Sequence, residues 1–182
     1  MRIYTKKGDD GTTGLLYGGR VRKDSAAIEV NGAVDEAQAV MGVARAEAER
    51  GGELDAILTG LERDLWVLMA EVATAPQNRS KLAPGTSLVT PDMVGALEVL
   101  IDSLDDRYQM PTEFVIPGQD RISAALDVAR TVVRRAERLA IKMDLEGSSV
   151  IPYLNRLSDL LWAMARWQEG EHLMSRDNPA AQ

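Results

Sequence analysis

The chain has 182 residues, of which 45% are hydrophobic and 27% charged, and its formal net charge is −7. This length and apolar content suffice for one domain, residues 1–182, with a sizeable core. The absence of cysteine excludes disulfides, thiolate metal sites and cysteine nucleophiles, and a single histidine argues against a zinc site. No apolar run approaches the ~20 residues that span a bilayer, and the N-terminus has no apolar signal core, so we expect a cytoplasmic protein that engages no membrane.

The charge is distributed unevenly along the chain. Residues 1–23 carry six basic and two acidic side chains, whereas the remainder carries 15 basic and 26 acidic ones. A basic segment on an acidic body predicts a local anion site, and the overall charge argues against nucleic-acid binding.

In chain order, the first 23 residues are turn-rich, since KKGDDGTTG and YGG supply glycine, aspartate and threonine. Apolar residues at helical spacing then predict five helices, at about residues 25–50, 53–74, 90–109, 119–145 and 150–170. No segment has a convincing strand pattern. We therefore expect an all-α bundle, with an irregular N-terminal arm over residues 1–23 and a polar, mobile tail over residues 171–182.

The fourth predicted helix contains VARTVVRRAER, residues 128–138, with four arginines. Arg130, Arg134 and Glu137 are spaced by four and three residues and therefore share one face, beside a separate apolar stripe. Guanidinium groups grouped next to a core suit a polyanion, because each planar fork can bind phosphate oxygens bidentately. The alternative is an ordinary solvated, salt-bridged helix face.

Two other segments are hard to explain by packing alone. The arm sequence YTKKGDDGTTG has the glycines, hydroxyls and lysines of a phosphate-cradling loop, although it is not a Walker A motif and such sequences often form simple turns. At the start of the fifth helix, Asn155, Arg156 and Asp159 can meet on one face. Asn155 can instead cap the helix, and Arg156 with Asp159 can be an ordinary ion pair. Together with the arginine row, these segments could hold phosphates, ribose and a base.

Five segments also occur in the order and spacing of a known family, namely IYTKKGDDGTTGLLYGGRVRKD, NGAVDEAQA, FVIPG, VARTVVRRAER and YLNRLSDLLWAMAR. Over residues 3–167 the chain resembles the PduO-type ATP:cob(I)alamin (corrinoid) adenosyltransferases. The resemblance implies a five-helix bundle with a nucleotide-binding arm, assembled as a homotrimer whose active sites lie between adjacent subunits. It also implies ATP with Mg²⁺ and reduced cobalamin as substrates, and hand-off of the product to an adenosylcobalamin-dependent enzyme.

The resemblance assigns nucleotide contacts by position. In the arm, the family's phosphate-contacting residues correspond to Thr5, Lys6, Lys7, Gly8, Thr13, Gly14 and Lys23. In the fourth and fifth helices, its nucleotide motif corresponds to Arg134, Arg135, Glu137, Arg138 and Asn155. Arg134 falls on the family's catalytically important arginine at the triphosphate.

Further positions concern the corrinoid and the subunit interface. Arg130 and Asp35 match a salt bridge that the family forms between subunits near the site, although Asp35 and Glu36 can also be plain solvated residues. Phe114 corresponds to the aromatic residue that closes the corrinoid's lower face, and the alternative for it is a core position. The chain departs from the family at Asp127, where histidine is common, and at Lys7, where threonine is frequent.

The implied reaction is attack of Co(I) on C5′ of ATP with departure of triphosphate. Two other functions fit the same residues: a non-catalytic ATP or corrinoid sensor or chaperone that gates a partner, and a structural acidic bundle whose arginines only bridge subunits. A di-iron bundle is excluded because the required Glu-x-x-His pairs are missing.

Overall fold

The structure is a computed structural model that describes residues 3–176. Within this range a two-stranded hairpin precedes five α-helices. The elements are β1 (Thr12–Gly14), β2 (Arg20–Arg22), α1 (Ala26–Glu47), α2 (Glu53–Val72), α3 (Pro91–Arg107), α4 (Arg121–Ala140) and α5 (Val150–Glu169), with a short 3-10 helix, Pro76–Lys81, between α2 and α3. The predicted helix bundle is confirmed. No helix in the described part of the chain is long and apolar enough to cross a membrane.

The helix α4 lies at the centre of the bundle, since it packs against α1 on one side and α5 on the other. Its buried face is built largely of small residues, with Ala129, Ala136 and Ala140 fully buried beside Leu126 and Val133. Small side chains let neighbouring helices approach closely. The helix α2 packs on α1 and α3 on α5, which completes the bundle.

The start of α4 is fixed by its cap. The Asp120 carboxylate accepts hydrogen bonds from the backbone N–H groups of Ile122, at 2.7 Å, and Ser123, at 3.1 Å. These are two of the donors that a helix N-terminus leaves unpaired. The predicted end of this helix near residue 145 is wrong: Lys142 and Met143 bond to carbonyls three residues back, so a tighter turn follows Ala140.

The expectation that the chain has no strands is also wrong. In the arm β1 pairs antiparallel with β2, with Thr12 opposite Arg22 and Gly14 opposite Arg20. The connecting turn places Gly18 and Gly19 at φ 98° and 93°, a region that favours glycine. Each strand has only three residues, which is too short for a readable alternation of polar and apolar side chains.

The first part of the predicted mobile tail is paired with another segment. Ile116 N–H donates to the Leu173 carbonyl, and Ser175 N–H donates to the Phe114 carbonyl, both at 2.8 Å. Val115 and Met174 form an isolated antiparallel bridge between these bonds. Residues 173–175 are therefore paired with the segment before α4, residues 177–182 lie outside the described residues, and the mobility of the tail stays a prediction. The paired segments lie far apart along the chain, so no local sequence pattern predicts the pairing.

A buried carboxylate, Glu71 at the end of α2, connects four parts of the bundle. Its Oε1 accepts from Arg79 Nη2 at 2.7 Å and from the Ser148 hydroxyl at 2.6 Å, and its Oε2 accepts from Val89 N–H at 2.7 Å. The side chain is completely buried. Glu71 therefore holds the 3-10 helix and the segments that lead into α3 and α5.

Replacing this carboxylate is expected to destabilise the fold strongly. Glu71→Ala leaves the buried Val89 N–H without its acceptor, which typically costs about 1–3 kcal/mol, and it also removes the partner of the part-exposed Arg79. Urea denaturation measures the loss in the free energy of unfolding. The exposed Glu146→Ala variant is the control and is expected to stay within about 0.5 kcal/mol of the wild type. A Glu71→Ala protein as stable as that control would contradict the role given to Glu71.

Candidate active site

Arg20 of β2 fixes the shape of the N-terminal arm. Its Nε donates to the Thr12 hydroxyl at 2.9 Å, and its Nη2 donates to the Lys7 carbonyl at 2.5 Å. Asp10 accepts from the Thr12 hydroxyl at 2.8 Å, and this bond is the main cause that lowers the pKa of the Asp10 carboxyl. The loop between Lys7 and Thr12 is therefore held as a defined turn, with Asp10 ionised at neutral pH.

Two residues that the sequence assigned to phosphate binding meet in this arm. The backbone of Gly8 lies so close to Lys23 that a Cβ on Gly8 would come within 3.1 Å of the Lys23 ammonium nitrogen. Thr13 and Gly14 lie in β1, next to this contact. Any larger side chain at position 8 would therefore displace the lysine.

Lys23 also lies near the arginine helix. Together with Glu36 of α1 and Arg135 of α4 it lines a cleft of about 470 Å³. Arg135 Nη2 forms an ion pair with Glu36. The cleft therefore brings one basic residue of the arm and one of α4 to the same place, with Glu36 as a competitor for Arg135.

The nucleotide motif of α4 and the start of α5 are in direct contact. Asn155 Nδ2 donates to Glu137 Oε1 at 3.0 Å, and Asn155 Oδ1 accepts from Arg156 Nη1 at 2.9 Å. Asn155 does not cap α5, so that alternative is wrong. The ordinary ion pair is present, because Arg156 lies 3.4 Å from Asp159, and Arg156 also binds Glu98 at 2.9 Å.

Arg134 and Arg138 are exposed on the same helix, and the Arg134 carbonyl accepts from Arg138 Nη1 at 2.9 Å. Over residues 3–176, no hydrogen bond or ion pair joins arm residues 5–8 to Arg134. Asp35 is exposed on α1 and has no such bond to Arg130 within the chain. Within the described residues, arm residues 5–8 therefore make no direct polar contact with Arg134, although Lys23 of the arm shares a cleft with Arg135.

Phe114 lines a second, larger cavity of about 760 Å³. Its side chain is 87% exposed, so the alternative of a core position is wrong. Arg130 of α4 and Trp162 of α5 line the same cavity. A cavity lined by an exposed aromatic ring, an arginine and an indole suits a large, flat, partly apolar ligand.

Sequence reasoning missed two charged residues in the wall of this cavity, Asp127 and Arg166. They form a buried ion pair, with Arg166 Nη2 2.6 Å from Asp127 Oδ2. Asp127 was noticed only as a departure from the family. The burial of Arg166 was predictable from the sequence. Arg166 directly follows the run LLWAMA, whose apolar residues surround the helix on almost every side, so no solvent-facing stripe remains for an arginine.

Comparisons with known proteins identify the family to which the chain belongs. A family model described as cobalamin adenosyltransferase matches residues 3–168. A corrinoid adenosyltransferase of Citrobacter freundii is 40% identical over 171 residues, covering 92% of this chain and 95% of the relative. A corrinoid adenosyltransferase of Mycobacterium bovis is 39% identical over 170 residues, covering 91% of this chain and 87% of the relative.

A solved structure of a variant PduO-type ATP:corrinoid adenosyltransferase from Lactobacillus reuteri, complexed with cobalamin and ATP, has the same fold. It aligns with a TM-score of 0.84 at 25% identity and covers 97% of both chains. A second variant from that organism, complexed with ATP, aligns with a TM-score of 0.82 and covers 96% of this chain and all of its own. This protein belongs to the cobalamin adenosyltransferase family.

Proposed function

We propose that this protein transfers the 5′-deoxyadenosyl group of ATP to the Co(I) centre of reduced cobalamin or a related corrinoid. The cobalt electron pair forms the Co–C bond to C5′, the C5′–O bond breaks, and its electrons leave with triphosphate. The two relatives named as corrinoid adenosyltransferases support this reaction, and so does the similarity to a structure complexed with cobalamin and ATP.

The observation that carries the proposal is the arrangement of charges along α4. Arg130 lines the Phe114 cavity, and Arg134 follows it by one helical turn, about 6 Å along the axis. Glu137 and its partner Asn155 lie one further turn along. A corrinoid in the cavity and a nucleotide over Arg134 would therefore be neighbours, as the transfer requires.

Catalysis in this arrangement is mainly electrostatic. The leaving triphosphate carries up to five negative charges, one more than bound ATP, and no proton has to be removed from either substrate. Arg134, Arg138 and the arm residues Lys6, Lys7 and Lys23 are exposed cations suited to stabilise that charge. Arg135 would have to leave Glu36 to bind a phosphate, so we assign it the weaker contribution.

Magnesium would enter with the nucleotide. In the described part of the chain, no three histidine, aspartate or glutamate side chains come together to hold a metal ion. Mg²⁺ keeps several waters and is often bound mainly by substrate phosphates, so the triphosphate would supply its main ligands. The ion would neutralise part of the triphosphate charge as the C5′–O bond breaks.

We further infer a homotrimer with active sites between subunits. The missing polar contact between arm residues 5–8 and Arg134 within residues 3–176 is compatible with it, because the arm of a neighbouring subunit could supply that contact. The same assembly would let Asp35 of one subunit pair with Arg130 of the next. A cytoplasmic location, expected from the lack of a long apolar run in the sequence, stays a prediction, and so does hand-off of the product to an adenosylcobalamin-dependent enzyme, which the family resemblance implies.

Arg134 provides the sharpest test of the nucleotide site. We expect Arg134→Ala to lower kcat about 10²–10³-fold, the usual cost of removing one preorganised group that stabilises transition-state charge. The bundle should stay folded, since the side chain is exposed and has no side-chain partner within residues 3–176. The assay is anaerobic formation of adenosylcobalamin from reduced cobalamin and Mg·ATP, followed by cobalt absorption.

Arg121→Ala is the matched control, because Arg121 is an exposed arginine at the other end of α4. Its ion pair with Glu47 is long, at 4.0 Å, so little stability depends on it. This variant should keep near-native turnover. An Arg134→Ala enzyme as fast as this control would refute the assignment.

If ATP raises the thermal stability of the wild type but no adenosylcobalamin forms, the protein is a sensor; if ATP gives no thermal shift, it is a structural bundle.

Phe114 tests the corrinoid site. An apolar ring against the lower face of the corrinoid would exclude an axial ligand from cobalt and so ease reduction of Co(II) to Co(I). We expect Phe114→Ala to slow adenosylation from Co(II)cobalamin several-fold more than it weakens ATP binding. Absorption spectra of Co(II)cobalamin with Mg·ATP provide the measurement.

The control for this variant is Ile116→Ala, two residues away and outside the cavity wall. It should leave the cobalt spectrum as in the wild type. Identical spectra for Phe114→Ala and the wild type would contradict the proposed contact.

A further inference from the structure

Asp127 uses both of its carboxylate oxygens to hold arginines. Oδ1 accepts from Arg130 Nε at 3.1 Å on the same helix, and Oδ2 accepts from Arg166 Nη2 at 2.6 Å on α5. The Asp127 side chain is only 7% exposed. Two hydrogen bonds to guanidinium groups on different helices fix the orientation of this buried carboxylate.

A second buried carboxylate, that of Glu169, also pairs with Arg166. Its Nη2 also donates to Glu169 Oε1 at 2.9 Å, and the Glu169 side chain is completely buried. Arg166 therefore keeps a carboxylate partner without Asp127. Oδ1 of Asp127, by contrast, binds nothing but Arg130 within residues 3–176, so the core does not require that second contact.

The contact determines which part of Arg130 remains available. Asp127 takes Nε, while the two terminal nitrogens of Arg130 make no hydrogen bond in the described part of the chain. The Arg130 side chain is 27% exposed and lines the Phe114 cavity. A guanidinium held by Nε presents its terminal fork in one orientation, so that less rotamer freedom is lost when the fork binds.

We propose that Asp127 is a positioning residue for Arg130. Asp127 holds Arg130 through Nε, so that the two terminal nitrogens of Arg130 are available to the corrinoid cavity and to Asp35 of the adjacent subunit. This inference rests on the proposed function. It attributes to Asp127 a role in corrinoid affinity and none in the contacts to the triphosphate, which lie a turn further along α4.

The test is a double-mutant cycle with Asp127→Asn and Arg130→Met. Asparagine keeps the volume and one acceptor but loses the charge. We expect Asp127→Asn alone to lower kcat/KM for reduced cobalamin about tenfold, the usual size of a lost hydrogen bond to a charged group, with KM for ATP within about twofold of the wild type. In the Arg130→Met background, the same change should have almost no further effect, because Asp127 would act through Arg130.

A binding measurement on the same four proteins does not need turnover. The Kd for Co(II)cobalamin with saturating Mg·ATP should rise for Asp127→Asn in the native background and stay constant in the Arg130→Met background. Asp106→Asn, on the exposed surface of α3, is the matched control and should keep native values. If Asp127→Asn does not fold, Asp127→Glu replaces it: its carboxylate is displaced by one methylene, so the same cycle applies.

The outcomes separate this inference from the function on which it rests. Native kcat/KM in Asp127→Asn, or a loss that is equally large with and without Arg130, overturns the role of Asp127 and leaves the enzyme activity standing. A wild-type protein that forms no adenosylcobalamin overturns the proposed function and this role with it.

Discussion

The packing of α4 between α1 and α5 is the constraint on which the rest of the structure depends. Small buried residues, Ala129, Ala136 and Ala140, let the helix come close to both neighbours. The four arginines of VARTVVRRAER lie at the rim of this core, since none of them is buried. Long arginine side chains can extend from there while their helix stays rigid. A well-packed helix positions catalytic charges more precisely than a loop does.

Each half of α4 serves a different part of the proposed site. The N-terminal half carries Asp127 and Arg130 on the wall of the Phe114 cavity, where a buried ion pair with Arg166 joins α4 to α5. The C-terminal half carries the exposed Arg134 and the Glu137–Asn155 contact. In the proposed site, the two substrates would therefore bind along one rigid element, and the helical rise would set the distance between them.

Much of this arrangement could be predicted from the sequence. The helical spacing of apolar residues predicted five helices and the inward positions of α4, because local periodicity reports directly on burial. What could not be predicted depends on contacts between distant segments. The hairpin strands are too short to show a pattern, and the pairing of residues 173–175 with residues 114–116 involves backbone hydrogen bonds between distant segments. The Asp127–Arg166 pair becomes visible only when α4 and α5 are packed, although the apolar surroundings of Arg166 indicated burial.

The most direct measurement is the stoichiometry of the reaction under strictly anaerobic conditions. The wild-type protein is mixed with a known amount of chemically reduced cobalamin and excess Mg·ATP, and both adenosylcobalamin and triphosphate are quantified. The account predicts one triphosphate for each adenosylcobalamin formed, since a single C5′–O bond breaks as the Co–C bond forms. Consumption of ATP without a Co–C bond, or no reaction at all, would contradict it.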